Sequence, residues 1–97
     1  MVTLRQIQTV VGQVAPHYKI RNVKLFGSYA NGVAQADSDI DLLVEFSENP
    51  ISILEVFGFR EETSELLNTP VDVVKYPLGK PIDPAFSIGK TIDVYKC

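Results

Sequence analysis

The segment LFGSYANGVAQADSDIDLLVEF, from Leu25 to Phe46, decides the fold that we expect for this chain. It continues an apolar run, Val23 to Phe26, which contains one lysine and is typical of a β-strand. A Gly-Ser step follows at Gly27 and Ser28. A segment of small residues and an Asp-rich turn then lead to a second predicted strand, Ile40 to Phe46.

Two aspartates stand where this second strand begins. Side chains alternate along a strand, so Asp39 and Asp41 are predicted to share one face, while Ile40, Leu42 and Val44 face the core. The two carboxylates repel each other, and no basic residue lies within five positions on either side. A hard divalent cation such as Mg²⁺ would offset this charge, because carboxylate oxygens are the ligands it prefers.

The Gly-Ser step predicts the other half of a nucleotide site. Glycine and serine at a strand end that opens a helix supply backbone N–H groups and a positive dipole end, which suit phosphate. Phosphate groups facing metal-binding carboxylates fit phosphoryl chemistry with two ions roughly 3.5–4 Å apart. The alternative role for Ser28 is to cap a short helix that runs to about Ala34 and ends with help from Gly32.

A calcium loop is the competing interpretation of the acidic segment DSDID. The EF-hand pattern needs glycine at its sixth position, and counting from Asp37 that position holds Leu42. This interpretation therefore fails.

The segment GSYANGVAQADSDIDLLV resembles the Gly-Ser, then Ser-Asp-x-Asp-Leu signature of the DNA-polymerase-β-type nucleotidyltransferases. A later segment, TPVDVVKY, is similar to the family's strand that bears a third carboxylate, here Asp72. The short chain resembles in particular the minimal nucleotidyltransferases, the prokaryotic antitoxins paired with HEPN toxins.

The resemblance implies transfer of AMP from ATP to a hydroxyl acceptor, first of all a tyrosine of a HEPN-family toxin. It implies that Asp39 and Asp41 hold two Mg²⁺ ions, with Mn²⁺ as the substitute. Asp72 would complete one metal site and help to deprotonate the acceptor. Gly27 and Ser28, together with Asp39, would bind the nucleotide.

Two alternatives remain open at this point. The chain could be a binding module, an antitoxin that neutralises its partner by contact with little or no catalysis. Tyr29 to Asn31 favour this alternative, because a basic residue often accompanies this turn in relatives. The chain could also be a small-molecule adenylyltransferase that holds its acceptor between two subunits of a homodimer.

The remaining segments predict the rest of the fold. An amphipathic helix is expected from Thr3 to Ala15, with a capping box formed by Thr3 and Gln6 and an apolar face that Pro16 ends. A second capping box, Ser52 with Glu55, opens a helix that should run to Leu67 and stop at Asn68. The apolar faces of the two helices are predicted to comprise Leu4, Ile7, Val11 and Val14 in the first, and Ile53, Val56, Phe57 and Leu67 in the second.

A third strand is predicted from Val71 to Lys75, with a short helical turn at 84–88 and an extended end at 91–95. The order of elements indicates an α/β (α+β) fold with a polymerase-β-like core, a small mixed three-stranded sheet and flanking helices. The second strand must run antiparallel to the first for the Gly-Ser step to meet the aspartates.

Composition bounds the classes that remain. A chain of 97 residues with 45% hydrophobic residues fits one domain spanning 1–97. The net charge is −3 and the nine basic residues are scattered, which argues against non-specific binding to nucleic acid. Apolar runs fall far short of the ~20 residues that cross a bilayer, and no signal-peptide pattern is present, so we expect a cytoplasmic protein. His17 is expected on the surface, and Cys97 has no internal partner for a disulfide.

Overall fold

A computed structural model describes residues 2–48, 51–76 and 90–96. A one-turn 3₁₀ helix at Ala15–His17, which contains Pro16, separates the first helix from the first strand. The helical turn predicted at 84–88 lies outside the described residues. In chain order the elements are α1 (Leu4–Val14), β1 (Ile20–Phe26), α2 (Gly27–Ala30), β2 (Ile40–Phe46), α3 (Ile53–Leu67), β3 (Val71–Tyr76) and β4 (Ile92–Lys96).

The strands form one mixed sheet in the order β3-β2-β1-β4. Strand β2 runs antiparallel to β1 and parallel to β3, so the predicted mixed sheet and the predicted direction of β2 are confirmed. The predicted number of strands is wrong, because the extended end of the chain forms β4 and pairs antiparallel with β1. This pairing satisfies backbone groups along an edge of β1 that a three-stranded sheet would leave open.

The core lies on one face of the sheet. Ile40, Leu42 and Val44 of β2 are fully buried there, as predicted, in one hydrophobic cluster that also contains residues of both long helices. Helix α1 supplies Ile7 and Val11 to this cluster, whereas Leu4 in its first turn is 40% exposed. The predicted capping box of α1 is present in both directions.

Helix α3 has its boundaries close to the prediction but turns a different face to the core. Ile53 and Phe57, predicted to be buried, are 72% and 52% exposed, and the buried positions are Phe59, Thr63 and Leu67. Apolar residues surround the first turns of this helix on all sides, so the sequence there does not fix its rotation. The predicted Ser52–Glu55 capping box is also wrong, since the Ser52 hydroxyl accepts the N–H of Leu54.

The rotation of α3 is set by Tyr18, which precedes β1. The Tyr18 ring meets Phe59 edge to face, with centroids 6.1 Å apart, and its hydroxyl donates to Glu62 at 2.7 Å. A Cβ at Gly58 would lie 3.0 Å from the same ring, which explains a glycine inside this helix. The hydrogen bond to Glu62 raises the pKa of Tyr18.

Helix α3 ends where the prediction placed its end. Asn68 adopts the left-handed conformation, with φ of 50°, and its backbone N–H bonds to carbonyls of the last turn. The chain then turns directly into β3, and the N–H of Ile40 bonds to the carbonyl of Pro70. This junction fixes the start of β3 beside the start of β2. Within the described residues no helix combines the length and apolar character that crossing a bilayer requires.

Candidate functional site

The candidate site lies where β1 ends and β2 begins. In the antiparallel pairing of these strands Phe26 stands opposite Asp41, so the Gly-Ser step and the acidic pair meet, as predicted. Gly27 has φ of +74°, and a Cβ there would run into the Asp41 side chain, lying 3.0 Å from its Cγ. Gly27 is therefore required both by its backbone conformation and by the close approach of Asp41.

The third predicted carboxylate joins the same edge of the sheet. In the parallel pairing of β2 with β3, Asp41 stands opposite Asp72, and neighbouring strands lie roughly 4.8 Å apart. Asp39 precedes β2 by one residue and is exposed, as is Asp72, whereas Asp41 is half-buried. Asp72 is therefore accessible to solvent on β3, the strand at one end of the sheet order.

Charge repulsion connects the three groups. Burial, then the charge of Asp72 and then that of Asp39, raise the pKa of Asp41 above its usual value of 3.8. Each of these influences disfavours the ionised form of Asp41, and none of them offsets its charge. A bound cation would therefore stabilise the ionised form of the Asp41 carboxylate.

The turn after β1 is shaped differently from the prediction. Helix α2 is a single turn from Gly27 to Ala30, its N-cap is Phe26, and Ser28 therefore lies inside the helix and does not cap it. Asn31 closes this turn, because its backbone N–H and its side-chain amide both donate to the Gly27 carbonyl, at 3.1 and 2.8 Å. Ser28 is half-buried, and its carbonyl accepts the N–H of Val33.

The fit of a divalent cation depends on the donor set. No three His, Cys, Asp or Glu side chains of the described residues are close enough together to form a metal site by themselves. Mg²⁺ does not need such a set, since it is usually held by one or two carboxylates, water and the phosphates of a substrate. Asp41 with one neighbouring carboxylate fits that mode of binding, in which the nucleotide supplies the remaining oxygens.

The sequence does not predict one pair of charged residues that lies beside this site. Lys24 of β1 pairs with Asp93 of β4, and its Nζ lies 2.6 Å from the Asp93 carboxylate. The lysine inside the first apolar run was visible in the sequence. Its partner was not, because Asp93 lies 69 residues farther along the chain on a strand that was not assigned to the sheet.

Comparison with known proteins identifies the family. Residues 8–95 match the polymerase beta nucleotidyltransferase family. Protein adenylyltransferase MntA of Thermococcus cleftensis is 36% identical over 78 residues, which are 76% of this chain and 78% of that protein.

Solved structures of other proteins share the fold of this chain. A toxin–antitoxin structure with AMP-PNP superimposes with a TM-score of 0.70 at 19% identity, covering 99% of this chain and 75% of the other. The tri-AMPylated Shewanella oneidensis HEPN toxin in complex with MNT antitoxin gives a TM-score of 0.67 at 15% identity, covering 98% and 74%. At these identities the likeness is one of fold. The family match over most of the chain confirms the resemblance inferred from the Gly-Ser and Asp-x-Asp segments, and this chain belongs to the polymerase-β nucleotidyltransferase family.

Proposed function

We propose that this chain transfers AMP from ATP to a hydroxyl group of a partner protein, with release of pyrophosphate, and that the partner is a HEPN-family toxin. The observation that carries the proposal is the position of Asp41, which stands between the Phe26–Gly27 strand end and Asp72. A triphosphate lying against the Gly27 turn would bring its oxygens to these carboxylates. The fold likeness to the AMP-PNP structure and the similarity to protein adenylyltransferase MntA support this reaction.

Each residue has a distinct role in this proposal. Gly27 leaves room for the phosphates, and Ser28 contacts them together with Asp39. Asp39, Asp41 and Asp72 would hold two Mg²⁺ ions, or Mn²⁺, which when bound polarise the phosphate under attack and neutralise charge that develops on it. Asp72 would accept the proton of the incoming hydroxyl, and its exposure on β3 supports this role.

The partner would complete the site. We take residues 1–97 to form a single minimal nucleotidyltransferase domain, and in this proposal the acceptor hydroxyl comes from the partner protein. The fold likeness to the structure of a tri-AMPylated HEPN toxin in complex with MNT antitoxin supports a protein acceptor. We take its reacting group to be a tyrosine, as the family resemblance implies. ATP as the donor agrees with the cytoplasmic location that the sequence predicts.

Neutralisation by contact is the second candidate. Asn31 occupies a position where the resemblance leads us to expect a basic residue, and its side chain is engaged in bracing the Gly27 turn. A site without that cation would bind a triphosphate less tightly. A slow transferase that acts mainly by occupying its partner would have this property.

The test is transfer of mass to the partner. The chain and its co-purified HEPN-family partner are incubated with ATP and Mg²⁺, and intact-mass spectrometry should show the partner heavier by whole adenylyl groups. The double variant Asp39→Asn with Asp41→Asn should fold and bind the partner but transfer nothing. Asp37→Asn is the matched control, since it removes an exposed carboxylate from the adjacent turn. If the parent adds no adenylyl mass to the partner, the transferase proposal fails. If the double variant neutralises the partner fully in cells, contact suffices for neutralisation and the binding-module candidate is favoured.

A further inference from the structure

Lys24 lies on β1 beside the proposed site and has no role in the proposed reaction so far. It precedes Phe26 by two residues on β1, so its side chain leaves the sheet on the same face as Phe26, Asp41 and Asp72. Two residues of strand span about 7 Å, a distance that bound phosphates and a flexible four-carbon side chain can bridge. Of the cationic residues that the described strands place on this face, Lys24 is the nearest in register to Asp41; Lys96 stands opposite Asn22, farther away.

The Lys24 ammonium group is directed to the Asp93 carboxylate. The Nζ–carboxylate distance is 2.6 Å, and the hydrogen bond and charge of Lys24 hold the pKa of Asp93 below its usual range. The two partners differ in exposure, since the lysine side chain is 29% exposed and the aspartate side chain 66%. Ion pairs this exposed contribute little to stability, so exchanging Asp93 for another anion costs little.

We infer that Lys24 is a phosphate-binding residue of the nucleotide site. When ATP binds along the Gly27 turn, the Lys24 ammonium group moves away from Asp93 and contacts the triphosphate. Asp93 is then the anion that the triphosphate replaces as the partner of the Lys24 ammonium group. The inference rests on the proposed function, and it supplies a positive charge for the phosphates from β1 where Asn31 supplies none.

Two substitutions distinguish phosphate binding by Lys24 from a purely structural role of this residue, by the direction in which each one changes nucleotide affinity. If the Lys24–Asp93 pair only joins β1 to β4, Lys24→Gln and Asp93→Asn each break the same bond and should have the same effect. If Lys24 binds phosphate, Lys24→Gln removes the ligand contact, whereas Asp93→Asn removes a competitor for it. The two substitutions should then change nucleotide affinity in opposite directions.

The experiment measures binding of ATP and of inorganic tripolyphosphate to the full chain by calorimetry, in the presence of Mg²⁺. We expect Lys24→Gln to weaken both ligands about tenfold, or about 1.4 kcal/mol, while Lys24→Arg stays within about threefold of the parent. Asp93→Asn should bind both ligands more tightly than the parent. Lys19→Gln is the matched control, because Lys19 forms an ion pair with Glu48 and its carbonyl bonds to Ser47, beyond the far end of β2.

Two results would overturn the inference. One is equal weakening by Lys24→Gln and Asp93→Asn, and the other is ATP binding by Lys24→Gln that matches Lys19→Gln. Asp41→Asn, measured in the same series, separates this failure from that of the proposed function. Loss of binding in Asp41→Asn alone would remove only Lys24 from the site, whereas unchanged binding in both Asp41→Asn and Lys24→Gln would remove the site itself.

Discussion

Replacing Asp41 by asparagine should stabilise the protein when metal and nucleotide are absent. In the folded chain Asp41 is half-buried, stands opposite Asp72 and follows Asp39 closely, and these features raise its pKa. A like-charge pair on neighbouring strands costs roughly 0.2–1 kcal/mol. The substitution keeps the shape of the side chain and removes its charge, so we expect a gain of about 0.5–1 kcal/mol in the free energy of unfolding at pH 7. For a domain of this size that is a rise of roughly 2–8 °C in Tm.

The pH dependence follows from the direction of the shift. The folded-state pKa of Asp41 lies above the unfolded value, so below the unfolded value both states are protonated and the carboxyl costs nothing. As the pH rises from the unfolded value through the raised folded value, the unfolded chain ionises first and the parent loses stability relative to the variant. Above the raised folded value both states are ionised and the whole difference is present. The advantage of Asp41→Asn should therefore shrink as the pH falls through this window.

Urea unfolding in EDTA, at pH 7 and at several lower values, measures this difference. Asp37→Asn is again the control, because it removes an exposed carboxylate of the same loop and should change stability little. Adding ATP and Mg²⁺ should reverse the order, since a ligand that binds the folded parent stabilises it by mass action and the variant has lost part of that binding. A gain that persists unchanged in acid, or no gain at pH 7, would refute the account of a carboxylate destabilised by its neighbours.

Two further predictions concern the glycine turn and the core. Gly27→Ala and Gly32→Ala should each cost about 1–2 kcal/mol of stability, because φ is +74° and +72° at these positions. Only Gly27→Ala should also abolish ATP binding, since its Cβ displaces Asp41, whereas the space around Gly32 is open. Ser28→Ala, measured beside them, should weaken ATP binding less than Gly27→Ala; equal binding by all three variants and the parent would make the turn purely structural. Thr63→Val should raise the free energy of unfolding by about 1 kcal/mol in urea titrations, because the Thr63 hydroxyl is fully buried without a hydrogen-bond partner among the described residues. The control Thr63→Ser keeps the hydroxyl and should not stabilise the protein.

Local chemistry explains what the sequence predicted well. The bounds of β2, the capping box at Thr3 and the left-handed stop at Asn68 each depend on a few consecutive residues, and the structure has all three. The acidic pair is also local, because its position relative to the core follows from the two-residue period of a strand. The family signature added Asp72, which spacing alone could not have connected to Asp41.

Non-local contacts explain what the sequence predicted poorly. The rotation of α3 depends on the Tyr18 ring, and the apolar residues around its first turns are compatible with several rotations. Strand β4 is short and pairs with β1, which lies at the opposite end of the sequence, so its own residues indicate only an extended end. The Lys24–Asp93 pair depends on that same pairing, and it could not be inferred before β4 was placed beside β1.

The register that builds the core also builds the site. Leu25 stands opposite Leu42 on the core face, and the next pair along the same two strands is Phe26 with Asp41 on the other face. A slip of one residue would turn Asp41 into the core and Leu42 out of it, which the full burial of Ile40, Leu42 and Val44 opposes. The approach of Asp41 to Gly27 is therefore held by hydrophobic packing on the opposite face of the sheet. The environment of the Asp41 carboxylate is destabilising, as its raised pKa indicates. The neighbouring core residues on the same strand supply the stability that offsets this cost.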